Sequence, residues 1–266
     1  MHIIVCVKQT PASDTVQVDE KTGCIIRSGD SALNPFDEFA IEEAVRTKEK
    51  VPGAKVTALT MGPPQADAVL REAVARGCDA GAHLCGREFA GSDTWATSYA
   101  LSCAVKKLAA GENSVLVFCG KQTNDSDTGH IGPQIAQWLG WASAAFVRKI
   151  EAADDKSVRV QRLMEDGYDV LELPLPAVLS VIKEINTPRI ASLKGRLASK
   201  KAQFPKWTAA DLGCDAAKLG LDGSPTSVVR CFAPAPRPSN TVLINGDTAA
   251  EKAKKLAAAL KEAKIL

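Results

Sequence analysis

Short apolar runs alternate along this chain with stretches in which apolar residues recur every three or four positions. Ile3 to Val7, Val56 to Met61, Ala82 to Cys85 and Val115 to Cys119 read as strands, and the segments between them as helices. This alternation predicts a parallel sheet covered by helices, with right-handed crossovers. Asn34-Pro35-Phe36-Asp37 opens the first helix: Asn caps the free N–H groups, Pro at the first helical position loses nothing, and Asp favours the positive end. Phe36, Ala40, Ile41, Ala44 and Val45 mark its buried face. Gln65 to Arg76, after Gly62-Pro63-Pro64, and Thr94 to Leu108 repeat the design.

Two hairpins are expected. Val16 to Asp19 and Cys24 to Arg27 flank Lys21-Thr22-Gly23 as an insertion in the first crossover. Val158 to Met164 and Tyr168 to Leu173 flank Glu165-Asp166-Gly167, where Asp-Gly would supply positive-φ positions. Ala177 to Ile182 follows as another buried strand. After Pro188, Gly, Pro and Lys become frequent and strand signals sparse, so residues 1–188 read as the sheet domain and 189–266 as an extended arm. Thr248-Ala-Ala-Glu251 reads as a capping box, with Ala249, Ala253, Leu256 and Leu260 on one face of a terminal helix that needs a surface to lie on.

Composition narrows the function classes. With 266 residues, 45% hydrophobic content and a net charge of +2, the chain fits a soluble globular protein and gives no support to nucleic-acid binding. Its eight cysteines form no C-x-x-C pair and read as buried reduced thiols. The amino terminus enters a strand pattern directly, and no apolar run approaches the roughly 20 residues needed to span a bilayer. No membrane insertion and a cytoplasmic location are expected.

The candidate chemistry lies in Gly120 to Gly132, GKQTNDSDTGHIG, a loop between a buried strand and an amphipathic helix. Such loops at the carboxyl end of a parallel sheet hold ligands, and a helix start offers N–H groups to phosphate. A plain polar loop with a helix cap is the competing structural interpretation. The chain lacks a G-x-x-x-x-G-K-[ST] phosphate loop, a G-x-G-x-x-G fingerprint and a G-x-S-x-G elbow, and His2, His83 and His130 make no ligand pair. These features point to a nucleotide-bearing cofactor that carries the chemistry, with AMP and FAD left undistinguished.

Four ordered motifs resemble the β subunit of electron transfer flavoproteins: Val5-Cys6-Val7-Lys8, Asn34-Pro35-Phe36-Asp37, GKQTNDSDTG, and VQRLMEDGYDVLELPLPAVLSV from Val160 to Val181. Pro188-Arg189-Ile190-Ala191-Ser192-Leu193 and Lys200-Lys201 continue the likeness. The resemblance implies a doubly wound, mainly parallel α/β fold of the adenine-nucleotide α-hydrolase-like, Rossmann-like class. It also implies a heterodimer in which the arm and terminal helix pack on an α subunit. Carried over by position, the nucleotide contacts are Cys6, Lys8, Asn34, Phe36, Met61, Gly120, Gln122, Thr123, Asp125, Asp127, Thr128, His130 and Ile131. Cys6, Phe36 and Met61 read equally well as core.

Ordinary members of that family hold AMP, whereas electron-bifurcating members hold FAD and take electrons from NADH. Asp125-Ser126-Asp127-Thr128, Gly132-Pro133 and Glu165-Asp166-Gly167-Tyr168 resemble the bifurcating type, so FAD is favoured and AMP is the alternative. Ser126 and Gly129-His130 depart from it, since many such relatives have Gly and Ala-Gln there. Electrons would pass to a ferredoxin or flavodoxin and to the α-subunit flavin, which serves an acyl-CoA dehydrogenase. No side chain is expected to be catalytic. Thr123, Asp125 and Thr128 would orient the cofactor, Lys8 or Lys121 would favour its reduced anion, and Leu193 would dock the dehydrogenase.

Overall fold

A computed structural model describes residues 1–12, 17–18, 25–26, 31–229, 238–239 and 241–266. It divides into two compact units, Met1–Arg230 and Cys231–Leu266. In chain order the first unit contains β1 (His2–Cys6), β2 (Gln9–Pro11), β3 (Gln17–Val18), β4 (Ile25–Ile26), β5 (Ser31–Leu33), α1 (Pro35–Lys50) and β6 (Lys55–Met61). Then come α2 (Asp67–Arg76), β7 (Ala80–Leu84), α3 (Thr94–Ala109), β8 (Val115–Gly120), α4 (Ile131–Leu139) and β9 (Ala142–Ala153). It continues with β10 (Ser157–Leu163), β11 (Tyr168–Pro174), β12 (Ala177–Val181), α5 (Leu193–Lys201), β13 (Lys206–Trp207) and α6 (Ala209–Leu212). The second unit carries α7 (Ala249–Glu262).

The main sheet has nine strands in the order β11-β10-β9-β12-β8-β1-β6-β7-β13. From β9 to β13 every neighbouring pair is parallel, and β10 and β11 extend the sheet antiparallel beyond β9. The apolar runs are continuous because both faces are covered. Ile3, Val5, Leu116 and Phe118 face one core with Ala40, Ile41 and Leu70 of α1 and α2. Ile4, Cys6, Val117 and Cys119 face the other with Ala100, Leu101 and Ile135 of α3 and α4. Burying a side chain as large as Phe118, which is fully inaccessible, contributes about 1.5–3 kcal/mol. This is the expected doubly wound α/β fold.

β3 and β4 pair antiparallel in a sheet of their own, as expected for an insertion, while their turn and flanking residues lie outside the described residues. The second hairpin also forms, but Gly167 does not adopt a positive φ. Its connection runs from Met164 to Gly167, with the Met164 N–H donating to the Gly167 carbonyl at 2.9 Å, so the loop closes without left-handed backbone. β9, which joins the hairpin to the parallel sheet, has no counterpart in the sequence pattern. Its twelve residues lack a clean period of two because the pairing slips on both sides.

The first unit extends past the boundary drawn at residue 188. Arg189 donates to the buried Glu42 at 2.7 Å and to Glu49 at 2.6 Å on α1. Arg71 of α2 donates to the carbonyls of Ser199 at 2.7 Å and Ala202 at 3.1 Å, satisfying the end of α5. β13 adds to the edge at β7, through Pro205 and Trp207 carbonyls that accept from His83 and Cys85 at 3.0 Å. In the second unit, Thr248 accepts from the Glu251 N–H at 3.2 Å, but the Glu251 carboxylate turns to the Asp247 N–H at 3.1 Å. The box is therefore completed one residue early.

α5 rests against α2 at Gly195, where an added Cβ would collide with the Ala75 carbonyl. Gly195→Ala is expected to force the two helices apart and lower the unfolding free energy by about 1–3 kcal/mol in denaturant titration.

Candidate functional site

The carboxyl ends of β1 and β8 meet the start of α1, and the Gly120 loop leaves this edge before entering α4. The contact at Gly120 is backbone to backbone: a Cβ there would lie 2.9 Å from the Phe36 carbonyl carbon and 2.5 Å from Asp37 Oδ1. Only glycine lets the helix start and the strand end approach this closely. Asp37 fills the junction. Its Oδ2 accepts the Lys8 backbone N–H at 2.8 Å, and it receives a further backbone hydrogen bond at Gly120. Burial outweighs these donors and raises its carboxyl from 3.8 to about 7.

Asn34 does not cap α1 with its side chain. It is fully buried, and its amide instead holds the loop: Nδ2 donates to the Gln122 carbonyl at 2.9 Å and Oδ1 accepts the Asn124 N–H at 3.2 Å. A cap uses one acceptor, whereas here the buried amide engages a loop carbonyl and a loop N–H at once, so both of its polar ends are satisfied. Thr123 and Ser126 exchange N–H donors at 3.0 and 3.2 Å in a tight turn, and Thr123 Oγ1 donates to Asp125 Oδ1 at 2.7 Å. Lys8 Nζ meets both Asp125 oxygens at 2.8 and 2.9 Å. The loop is thus fastened to β1 by an ion pair and to α1 by an amide.

Of the sequence candidates, Cys6, Lys8, Asn34, Phe36, Gly120, Gln122, Thr123 and Asp125 gather at this junction. Cys6 is core as well, a free thiol like Cys119, whose pKa the Cys6 thiol, followed by burial, drives well above the usual thiol range. Met61 is half-buried against the same core at the end of β6. Asp127, Thr128 and His130 are exposed, and His130 Nδ1 lies 3.3 Å from Thr94 Oγ1. α4 begins at Ile131 with no side-chain cap, so the Ile131 and Gly132 N–H groups have no partner within the helix, and Pro133 carries no N–H. The close approach at Gly120 is a contact inside the protein, between β8 and the start of α1, and it fixes where the loop leaves the sheet. Leu193 lies elsewhere, at the start of α5, and is 75% exposed beside Ile190 at 88%.

Asp37 was not among the sequence candidates. Its position beside Asn34-Pro35-Phe36 suggested only a favourable charge at a helix start. Among the described residues there is no cluster of metal-ligating side chains and no helix long and apolar enough to cross a membrane.

Gly120→Ala is expected to displace the α1 start and lower the unfolding free energy by about 1–3 kcal/mol, read by denaturant titration. Asp37 gives a pH test. Its carboxyl is raised on folding, so the folded state holds the extra proton between 3.8 and about 7, and stability falls as pH rises through that window. Asp37→Asn is expected to remove this fall from the profile of unfolding free energy against pH.

The electron transfer flavoprotein domain family matches residues 22–212. The caffeyl-CoA reductase–Etf complex subunit CarD of Acetobacterium woodii is 42% identical over the full length of both chains. The electron transfer flavoprotein subunit beta of Thermoanaerobacterium thermosaccharolyticum is 46% identical over 88% of each. Protein FixA of Sinorhizobium fredii is 42% identical over 92% of this chain and 87% of its own. Together with the doubly wound sheet and the loop at its carboxyl edge, these matches establish that the chain belongs to the family of electron transfer flavoprotein β subunits.

Proposed function

We propose that this chain binds FAD in the Gly120 loop and, paired with an α subunit, passes electrons from NADH along two routes. The observation that carries the reading is the uncapped start of α4 behind a loop fastened at Asn34 and Lys8. Backbone N–H groups there hold phosphate without a charged side chain, which keeps the site's geometry set by the sheet rather than by flexible lysines. Cys6, Phe36 and Met61 supply the apolar wall for adenine, and Gln122, Thr123, Asp125, Asp127, Thr128, His130 and Ile131 line the ribose and phosphate side.

When bound, FAD supplies hydride acceptance and single-electron delivery to a ferredoxin or flavodoxin and to the α-subunit flavin serving an acyl-CoA dehydrogenase. The chain's own residues bind, orient and screen. The Lys8 ammonium is engaged by Asp125, so its charge acts on the loop first. No side chain here need act as a nucleophile. The exposed apolar pair Ile190 and Leu193 supports the docking role of that segment. A. woodii CarD is named as a subunit of a complex with caffeyl-CoA reductase, which supports a partner acting on a CoA thioester. The second unit, with α7, is assigned to the α subunit's surface.

Cofactor analysis of the purified heterodimer tests the reading. Two flavins per heterodimer, reducible by NADH, are expected; one flavin and one AMP would replace it with a structural AMP-bearing subunit. Leu193→Ala is expected to slow electron delivery to the dehydrogenase with both cofactors retained, measured by steady-state dye reduction. Loss of the cofactor in that variant would assign the leucine a structural role instead.

A further inference from the structure

Phe146 is the one described residue other than glycine that takes a positive φ inside a strand. Its φ is 57°, whereas Ala110 and Lys264, the other two, stand at helix ends. A bulky side chain seldom adopts this conformation, and such strain persists where the surrounding structure holds it. The pairing explains how it is held. Leu179 of β12 faces Ala144, but Val181 faces Val147, so Ala145 and Phe146 together stand against Ser180 alone. This is a β-bulge, a device that redirects a side chain.

The bulge lies at the level of the nucleotide edge, since Val181 is also the register partner of Gly120. It leaves the Phe146 ring 40% exposed. Lys121, the residue after Gly120, is held by its N–H to the Val181 carbonyl at 2.9 Å and carries Nζ 5.3 Å from the centre of the Phe146 ring. A partly exposed aromatic ring with a cation from the binding loop over it joins apolar surface to positive charge, which suits a flat heteroaromatic ring that accumulates negative charge.

Its distance along the sheet selects which ring. Between Phe146 on β9 and the adenine wall on β1 and β6 lie three to four strand spacings, roughly 14–19 Å. A mononucleotide seated against Cys6 and Met61 ends short of this, whereas a dinucleotide extends toward it. We propose that Phe146 and Lys121 form the platform on which the isoalloxazine ring of a dinucleotide held by the Gly120 loop stacks, which makes Phe146 a determinant of FAD over AMP. This rests on the FAD reading of the site.

The test uses the chain co-purified with its α subunit, stripped of cofactor and titrated with FAD or AMP, the α-subunit flavin serving as internal reference. Phe146→Leu is expected to weaken this chain's FAD roughly 3- to 10-fold and leave AMP affinity and the α-subunit flavin unchanged. Phe146→Tyr is expected to restore the wild-type value. Phe146→Asn, which tolerates the left-handed backbone, carries the same comparison should the leucine variant not fold. Equal weakening of FAD and AMP, or no recovery with tyrosine, would show that the ring only supports the bulge and overturn the platform. Unchanged FAD affinity would overturn the platform and leave the FAD reading standing. A wild-type heterodimer that takes up a single flavin would remove both.

Discussion

The site depends on one close approach, the start of α1 against the end of β8 at Gly120. A side chain at 120 would strike the Phe36 backbone and the Asp37 carboxylate, so the junction exists only because that position is bare. Around this contact the peptide groups at the strand ends need partners, and Asp37 supplies them at Lys8 and Gly120. Desolvating a carboxylate is costly, and burial is what raises the Asp37 carboxyl. The same residue therefore ties the start of α1 to the ends of both strands.

From that junction the loop is built outward by polar contacts of unequal strength. The amide of Asn34 is sealed from water and commits both its donor and its acceptor to loop backbone, whereas the Lys8–Asp125 pair is partly solvated on the lysine side. Pairs of the latter kind are screened and contribute little by themselves. The buried amide sets the loop's position, and the ion pair orients its tip. Farther out, Asp127, Thr128 and His130 are left exposed.

Charge plays a different part along residues 189–201. Arg189 reaches Glu42 and Glu49, whose hydrogen bonds hold the guanidinium firmly protonated, and Glu42 is itself buried. A buried carboxylate needs such a partner, so this pair anchors the segment to α1 instead of merely decorating it. With Arg71 closing α5 and Gly195 seating it on α2, the apolar side chains of Ile190 and Leu193 are left presented outward on a fixed base.

The sequence alone determined the strands and helices of the two-sided core, because β1, β6 and β8 are apolar on both faces and α1 carries Pro35 and a continuous buried stripe. It also located the Gly120 loop and, through four ordered motifs, the family. Contacts between residues distant in the chain left no such trace. Asn34 reads locally as a helix cap, yet its buried amide is claimed by loop groups about ninety positions away, as the separations in its hydrogen bonds record. Asp37 reads as a favourable helix charge, and only burial against β1 and β8 gives it a raised pKa. β9 and its bulged Phe146 are invisible to periodicity because a slipped register destroys the period of two. Local propensity and burial on a regular face are written in neighbouring residues; partner choice at a junction is decided by which chain segments the finished sheet brings within hydrogen-bonding distance.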